Sequence, residues 1–241
     1  MRLVVAAAVT LAAAGAGVVR LLSDEQAGDV TTVAMGPAEL SSSLLTTVES
    51  CVDRFPEQPV FDMTHRTALR KAELAVAIEH EGRATALFFA EDGWVACDEV
   101  RHGRESSGGF GGSLWYGQKD WLPGPVERLS ASSSELEGGW VMAAGRVSFR
   151  VDRLVLEHGN GNSTGARLAN GAFGLVTTSG DVQPDAELVA YDATGSVIER
   201  EGVFEPLSAP SRCYTDPTGK VVHSRVVEPD TDCLPAERWK P

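Results

Sequence analysis

Short apolar runs separated by turn residues fill the chain from residue 138 to residue 201. Apolar runs of four to eight residues between turns that return every eight to twelve positions are typical of a small antiparallel β-sandwich. Including a strand at 126–134, the pattern predicts about seven strands. The other strands are expected at 140–147, 153–158, 165–168, 172–177, 187–191 and 197–200. Asn170-Gly171 predicts a two-residue hairpin turn, and residues 192–195 predict a longer one. We therefore expect an immunoglobulin-like (Ig-like) sandwich over residues 126–205.

A helical period precedes this region. Between residues 40 and 55 the apolar positions form one stripe along a helix, made of Leu40, Leu44, Val48, Cys51, Val52 and Phe55. Pro37 suits the first turn of this helix, and Pro56 ends it. Apolar runs then follow at 72–79, 84–90 and 94–100. Residues 37–102 therefore predict an α+β unit, a helix packed on a three-stranded antiparallel sheet, and the whole chain is expected to be mainly β.

A glycine-rich segment, residues 103–125, separates the two units and is expected to be a loop. It carries four aromatic residues that could stack on a sugar or a peptide, namely Phe110, Trp115, Tyr116 and Trp121. These residues are the candidate ligand-binding surface. The alternative is that the segment folds back as a lid on one of the two cores.

The four cysteines do not include a Cys-x-x-Cys pair, which argues against a zinc knuckle or a thioredoxin-like redox motif. An even number of cysteines behind an export signal favours disulfides. Three pairings are possible. We expect Cys51–Cys97 and Cys213–Cys233, because each of these bonds closes its loop within one structural region.

The amino terminus predicts export. Arg2 precedes an apolar run over residues 3–19, with small residues at spacings that suit signal-peptide cleavage. The run is also close to the minimum length of a membrane-spanning helix. Residues 1–22 are thus either a cleaved signal peptide or an uncleaved single-pass anchor, and residues 23–36 are a polar tether. Both alternatives place most of the chain outside the cytoplasm.

The carboxyl-terminal segment, residues 206–241, contains the second pair of cysteines and several prolines. A turn at 216–219 followed by a strand at 221–227 predicts a short hairpin. We expect a disulfide-stapled extension that packs on the sandwich or straps back to the first unit.

A net charge of −13 repels phosphate groups and anionic lipids, so the sequence argues against nucleic-acid binding. The expected partner is an extracytoplasmic protein or a glycan. Membrane contact is expected only through the amino-terminal segment, if that segment is uncleaved.

Candidate chemistry is sparse. Residues 161–165 match the G-x-S-x-G pattern of a serine nucleophile, but the residues that follow predict a strand and a turn where a nucleophile elbow needs a helix. Ser163 is therefore not expected to be a nucleophile. The histidines are scattered and lack the spacing of a helical zinc site. Several carboxylates are expected at one end of the sandwich, namely Asp181, Asp185, Glu187 and Asp192, but they form no calcium loop of recognised spacing. We expect no catalytic residue, no metal site and no cofactor.

Four segments carry a resemblance to a known group of proteins: residues 144–147 (AGRV), 150–159 (RVDRLVLEHG), 166–174 (ARLANGAFG) and 189–198 (VAYDATGSVI). The chain resembles exported actinobacterial proteins of unknown function with a small C-terminal Ig-like β-sandwich. The helix with Cys51 and the strand with Cys97 resemble the amino-terminal half of such proteins. The resembling motifs are turn and core residues, so the resemblance implies the fold and export and carries no catalytic residue.

The sequence therefore favours a non-catalytic envelope protein, exported or membrane-anchored, that acts as a binding or accessory module for an unknown ligand. A secreted hydrolase with an unrecognised active site is the alternative, and it requires a histidine and a carboxylate to converge with a serine in a cleft. A structural spacer that holds another component away from the membrane is a third hypothesis.

Overall fold

A computed structural model describes residues 31–57, 68–102, 105–115, 118–136, 138–205, 213–224 and 232–239. Within these ranges the chain is mostly β, with a single α-helix and several antiparallel sheets. Residues 1–30, which carry the predicted signal peptide or anchor, lie outside the described residues. No helix among the described residues is both long and apolar enough to cross a membrane.

The helix α1 spans Ser42–Arg54 and buries the apolar stripe, including Leu44, Val48 and Cys51. It begins later than the proline pattern predicts. Residues 37–39 form a separate 3-10 turn, and the Ser41 side chain accepts a hydrogen bond from the Leu44 amide (3.2 Å) and caps the helix. A serine cap satisfies an amide that the first helical turn leaves free, so the helix starts after Ser41.

The first sheet has five strands in chain order, not the three predicted. They are β1 (Thr32–Ala34), β2 (Leu74–His80), β3 (Arg83–Phe89), β4 (Gly93–His102) and β5 (Glu105–Leu114). The predicted tether thus supplies an edge strand, β1, because Ala34 and Met35 are buried between layers. The predicted glycine-rich loop supplies the other edge, β5, which pairs with all of β4. Glycine disfavours strands locally, but this ladder and the packing of Phe110 override that preference.

Helix α1 covers one face of this sheet and is bonded to it covalently. The predicted Cys51–Cys97 disulfide is confirmed, joining α1 to the middle of β4 with the two Cα atoms 6.1 Å apart. Both cysteines belong to an apolar cluster that includes Phe55, Phe88 and Val95. The disulfide therefore closes a layer that is already held by apolar packing.

After the two-residue strand β6 (Trp121–Leu122), eight strands form two four-stranded antiparallel sheets. They are β7 (Val126–Glu135), β8 (Gly138–Val147), β9 (Arg153–Glu157), β10 (Ser163–Gly165), β11 (Arg167–Ala169), β12 (Ala172–Val176), β13 (Glu187–Tyr191) and β14 (Val197–Gly202). One sheet has the order β7-β8-β12-β11 and the other the order β10-β9-β13-β14. Side chains from both sheets share one apolar cluster. The region is therefore a β-sandwich.

One predicted strand is corrected by this arrangement. The sequence predicts a single strand at 165–168, but the chain forms β10 in one sheet and β11 in the other, with Ala166 between them. The chain crosses from one sheet to the other at Ala166, and this crossing divides the predicted strand in two. The predicted hairpin at Asn170-Gly171 is confirmed, with positive φ angles of 50° and 69° at its two central residues.

The first sheet and the sandwich share a second apolar cluster, so the two predicted units pack directly on each other. Every residue of β8 is buried, because this strand is covered on both faces. Val141 and Ala143 face the second sandwich sheet, whereas Trp140 and Met142 face the five-stranded sheet. The order of layers is thus helix, five-stranded sheet, first sandwich sheet, second sandwich sheet.

Gly174 on β12 lies where side chains of the first sheet pack closely against the sandwich. A Cβ atom at this position would lie 2.5 Å from Val76 Cγ1 and 3.0 Å from Val33 Cγ1. Gly174→Val should therefore lower the free energy of unfolding by about 1–3 kcal/mol through overpacking, measured by urea denaturation. Gly165→Val is the matched control, since an added Cβ there meets no atom within 4 Å. Equal stability of the two variants would contradict this interface.

The carboxyl-terminal residues strap the layers together. Strands β15 (Cys213–Thr215), β16 (Val221–Ser224) and β17 (Leu234–Pro235) form a small sheet. The predicted hairpin is confirmed as far as residue 224, and residues 225–227 of the predicted strand lie outside the described residues. The Cys213–Cys233 disulfide is also confirmed. The last strand, β18 (Glu237–Arg238), pairs with β6, and Trp239 bridges to Ser148 at the end of the sandwich. We refer to residues 232–239 as the C-terminal strap.

Glu199 on β14 points into the sandwich, because it lies opposite the fully buried Ala190. Its carboxylate accepts a hydrogen bond from the Val126 amide (2.8 Å). Burial, helped by the neighbouring carboxylates of Glu201 and Glu237, raises the pKa of Glu199 to about 7 against the opposing effect of that hydrogen bond. The folded protein therefore retains a proton here that the unfolded chain, with its ordinary pKa of 4.5, has lost.

Because Glu199 loses its proton at a higher pH in the folded protein, the free energy of unfolding should fall by about 3 kcal/mol as the pH rises from about 4.5 to about 7. Glu199→Gln keeps the oxygen that accepts from Val126 and removes the titration. We expect the variant to be more stable than the parent chain above pH 7 by up to about 3 kcal/mol, and equally stable near pH 4. Thermal unfolding across this pH range tests the prediction, with the exposed Glu49→Gln as control. A parallel pH profile in parent and variant would contradict it.

Candidate functional site at the loop end of the sandwich

The aromatic residues predicted to bind a ligand lie on two sides of the first sheet. Phe110 on β5 faces helix α1, where its ring meets Phe55 edge to face at 5.7 Å. Trp115 packs on the sandwich side, and its indole N–H donates to the carbonyl of Ala90 (3.1 Å). Trp121 lies in β6, beneath the guanidinium of Arg238. Tyr116 is outside the described residues. The three described rings therefore do not share one surface.

Trp115 belongs to a buried cluster around Arg146, a residue that the sequence did not single out. The Arg146 guanidinium lies 4.0 Å from the centre of the Trp115 ring and 5.1 Å from that of Trp239. It donates to Glu127 through Nε and Nη2 (2.7 and 2.5 Å) and to the carbonyl of Lys119 through Nη1 (2.8 Å). These contacts join the first sheet, the sandwich and the C-terminal strap.

A different polar cluster lies at the end of the sandwich formed by the β9–β10 and β12–β13 loops. Asp181 Oδ1 lies 3.2 Å from His158 Nδ1, and His158 Nε2 lies 2.9 Å from Thr164 Oγ1. The order carboxylate, imidazole, hydroxyl is that of a catalytic triad. Asp181 also accepts hydrogen bonds from Ser179, Asn160 and Asn162. These bonds, that of Ser179 foremost, hold the pKa of Asp181 far below its usual range.

The direction of the hydroxyl decides what this cluster can do. Thr164 lies opposite Leu156, a fully buried core residue, so its side chain is on the inner face of the sheet. His158 is only 2% exposed. Ser163 lies opposite Glu157 and is exposed on the outer face. The cluster therefore joins two loops, and the hydroxyl group that contacts His158 belongs to a half-buried side chain on the inner face of the sheet.

A cleft of about 470 Å³ opens beside these loops on the outer side. Its lining residues are Glu157, Gly159, Gly161, Asn162, Asp185 and Glu187. Glu157 and Glu187 are directly opposite each other on β9 and β13. Arg200 donates to both, at 2.8 and 2.9 Å, and this contact with Arg200 lowers the pKa of Glu157. The side chains that enter the cleft are thus polar and mostly anionic.

Sequence reasoning placed several carboxylates at one end of the sandwich, and the structure places Asp181, Asp185 and Glu187 there. Asp192 lies elsewhere, in the hairpin between β13 and β14. Sequence reasoning missed the link between His158 and Asp181, because 23 residues separate them and no spacing rule connects two different loops. Within the described residues, no group of three or more histidine, cysteine or acidic side chains is arranged to hold a metal ion.

In comparisons with known proteins, no family model, no curated protein and no solved structure matched this chain.

Proposed function

We propose that the protein is an exported, non-catalytic binding module whose sandwich is Ig-like and whose ligand occupies the anionic cleft. The strand orders A-B-E-D and G-F-C-C′ of Ig domains correspond to β7-β8-β12-β11 and β14-β13-β9-β10. In this scheme the cleft lies at the end that carries the C–C′ and E–F loops. Fold alone does not assign a function, so the proposal rests on the cleft.

The observation that supports the proposal is that the imidazole and hydroxyl groups of the triad-like cluster do not line the cleft. The imidazole of His158 and the hydroxyl of Thr164 face inward. The cleft presents Asp185 to solvent, together with the pair Glu157 and Glu187, whose two carboxylates share the single cation of Arg200. A cleft that offers carboxylates without a nucleophile is suited to binding a cation and not to acyl transfer. We therefore propose a lysine- or arginine-bearing segment of an extracytoplasmic protein as the partner.

Export is supported by the two disulfides, which suggest an oxidising, extracytoplasmic environment. The resemblance of the chain to exported actinobacterial proteins agrees with this location and with an accessory role in the envelope. Whether residues 1–22 are cleaved or anchor the chain belongs to the same proposal, and mass spectrometry of the exported protein decides between the two.

Fluorescence anisotropy with a labelled lysine- and arginine-rich peptide tests the proposal. Asp185→Asn/Glu187→Gln should weaken binding about tenfold, equivalent to about 1.4 kcal/mol. The control Glu49→Gln/Asp53→Asn removes the same charge from the exposed face of α1 and should leave binding unchanged. Equal losses in both variants would indicate nonspecific charge attraction. Binding of neutral oligosaccharides in place of the peptide would overturn the proposed partner class.

The secreted hydrolase is the second candidate, and the order Asp181–His158–Thr164 is the observation that favours it. It requires the β9–β10 loop to open so that a hydroxyl reaches substrate. An activated ester should then give a burst of acyl-enzyme that Thr164→Val or Ser163→Ala abolishes. Our proposal expects no burst from the parent chain.

A further inference from the structure

Strand β5 ends the five-stranded sheet and presents one side of its backbone to no other strand in the described part of the chain. The hydrogen bond from the Trp115 amide to the Asp92 carbonyl (3.1 Å) shows which residues of β5 bond to β4 and which have backbone groups left free by the described strands. In an antiparallel ladder, residues bonded to the neighbouring strand alternate with residues directed away from it. Residues 107, 109, 111 and 113 therefore bond to β4, and residues 108, 110, 112 and 114 point outward.

This edge lacks the features that usually protect an exposed strand. Such edges are normally short, bulged, or interrupted by proline or charged side chains. Strand β5 is ten residues long, pairs with β4 without a register shift, and has no proline and no charge from Ser107 to Leu114. An added Cβ atom at Gly109 or Gly111 would meet no atom within 4 Å. The described residues therefore leave this face of β5 uncovered at the two glycines, and no described strand pairs with its outer backbone groups.

The sequence of β5 also reads the same in both directions around Phe110. Residues 107–113 are Ser-Gly-Gly-Phe-Gly-Gly-Ser. When two copies of a strand pair antiparallel across a two-fold axis, residue i of one meets residue j of the other and the reverse. An axis at Phe110 places glycine opposite glycine at four positions, and the Phe110 ring itself is turned toward helix α1, so the two backbones can approach closely.

A polar atom on the same strand lacks a partner. Ser113 is 8% exposed, and its hydroxyl forms no hydrogen bond within the described part of the chain. A buried hydroxyl without a partner is costly. With the axis at Phe110, Ser113 lies opposite Ser107 of a second copy in a pair that is not backbone-bonded, where side chains are closest. The same register thus gives this hydroxyl a partner.

We propose that two copies of this chain associate through β5, antiparallel and in the register that places Phe110 on the two-fold axis. The two five-stranded sheets become one ten-stranded sheet. Phe110 bonds to its own counterpart, and Gly108 bonds to Gly112 of the second copy. The cleft of the proposed function belongs to the far sheet of the sandwich, so the dimer is bivalent for that ligand, and the inference does not depend on what the cleft binds.

Register-specific crosslinking tests the proposal on the exported protein. Gly109→Cys and Gly111→Cys chains, mixed and oxidised, should give a disulfide-linked heterodimer, because residues 109 and 111 lie opposite each other at a Cα distance of about 4.5 Å. Either variant alone should crosslink poorly, since its two cysteines are offset by two residues and lie about 8 Å apart. All four native cysteines are already paired, so the introduced thiol is the reactive one. Equal crosslinking of single and mixed samples would overturn the register.

Sedimentation equilibrium supplies the second readout. The parent chain should approach twice its monomer mass in a concentration series that extends into the hundreds of micromolar, as expected of a small interface. Gly109→Lys/Gly111→Lys places lysine opposite lysine and should remain monomeric. Gly165→Lys/Gly180→Lys is the matched control, because both glycines are also open to solvent, and it should dimerise. A parent chain that stays monomeric, including one that captures a foreign peptide at this edge, would overturn the proposal.

Discussion

Arg146→Ala should lower the free energy of unfolding by about 3–5 kcal/mol. Arg146 is 1% exposed and is held by Glu127, by the carbonyl of Lys119 and by the faces of two tryptophans. Burial lowers its pKa, and Glu127 opposes that effect. The guanidinium nevertheless stays charged, because an arginine side chain keeps its proton in proteins. Its removal leaves the half-enclosed carboxylate of Glu127 without a cation and empties the space between Trp115 and Trp239.

Urea denaturation measures this loss, and tryptophan fluorescence reports whether the C-terminal strap detaches first. Arg150→Ala is the matched control, since Arg150 forms an exposed ion pair with Glu237 and should cost less than about 1 kcal/mol. A loss for Arg146→Ala no larger than that of the control would refute the assigned role. Arg146→Met/Glu127→Leu should recover part of the stability, because no unpaired charge is left in the interior when both partners are replaced by apolar side chains.

Removal of the Cys51–Cys97 disulfide should cost about 4 kcal/mol. The bond closes a loop with a sequence separation of 46 residues, and its effect in the chain-entropy description grows with that length. Both sulfurs are fully buried between α1 and β4, so Cys51→Ala/Cys97→Ala also loses packing in the first core. The helix should therefore separate from the sheet at a lower denaturant concentration than the sandwich unfolds.

Hydrogen exchange of the α1 amides under native conditions checks this expectation alongside denaturation. Cys213→Ala/Cys233→Ala is the comparison, with a separation of 20 residues and an expected cost of about 3 kcal/mol. That loss should be confined to the small carboxyl-terminal sheet. If α1 kept its protection in Cys51→Ala/Cys97→Ala, apolar packing alone would account for the helix layer.

Local patterns sufficed for elements whose neighbours in sequence are also their neighbours in space. The β3–β4 and β13–β14 hairpins follow from turn residues that set the backbone direction, and α1 follows from a stripe that needs only one apolar surface. Strand β5 was missed for the opposite reason. Its glycines predict a loop, and only pairing with the full length of β4 makes the extended conformation favourable.

The candidate site depended even more on long-range contacts. The matched letters around Ser163 drew attention to the right loop, but the hydrogen bond to His158 is made by Thr164. Which of two adjacent hydroxyls faces inward depends on strand register, since successive side chains point to opposite faces. Arg146 carried no sequence signal, because its partners come from residues 115, 119, 127 and 239.

The sequence alone therefore determined the mostly β character of the chain, most of its strands and its helix, and it favoured the observed pairing of the cysteines among three possible ones. Periodicity and turn chemistry are local properties of the sequence, and the length of a disulfide loop is given by the positions of its two cysteines. Only the tertiary structure decided that the two units share a core, that the predicted aromatic surface is divided between two sides of a sheet, and that His158 faces inward. Each of these depends on which surfaces pack together, and apolar burial is non-directional, so no short segment specifies its partner.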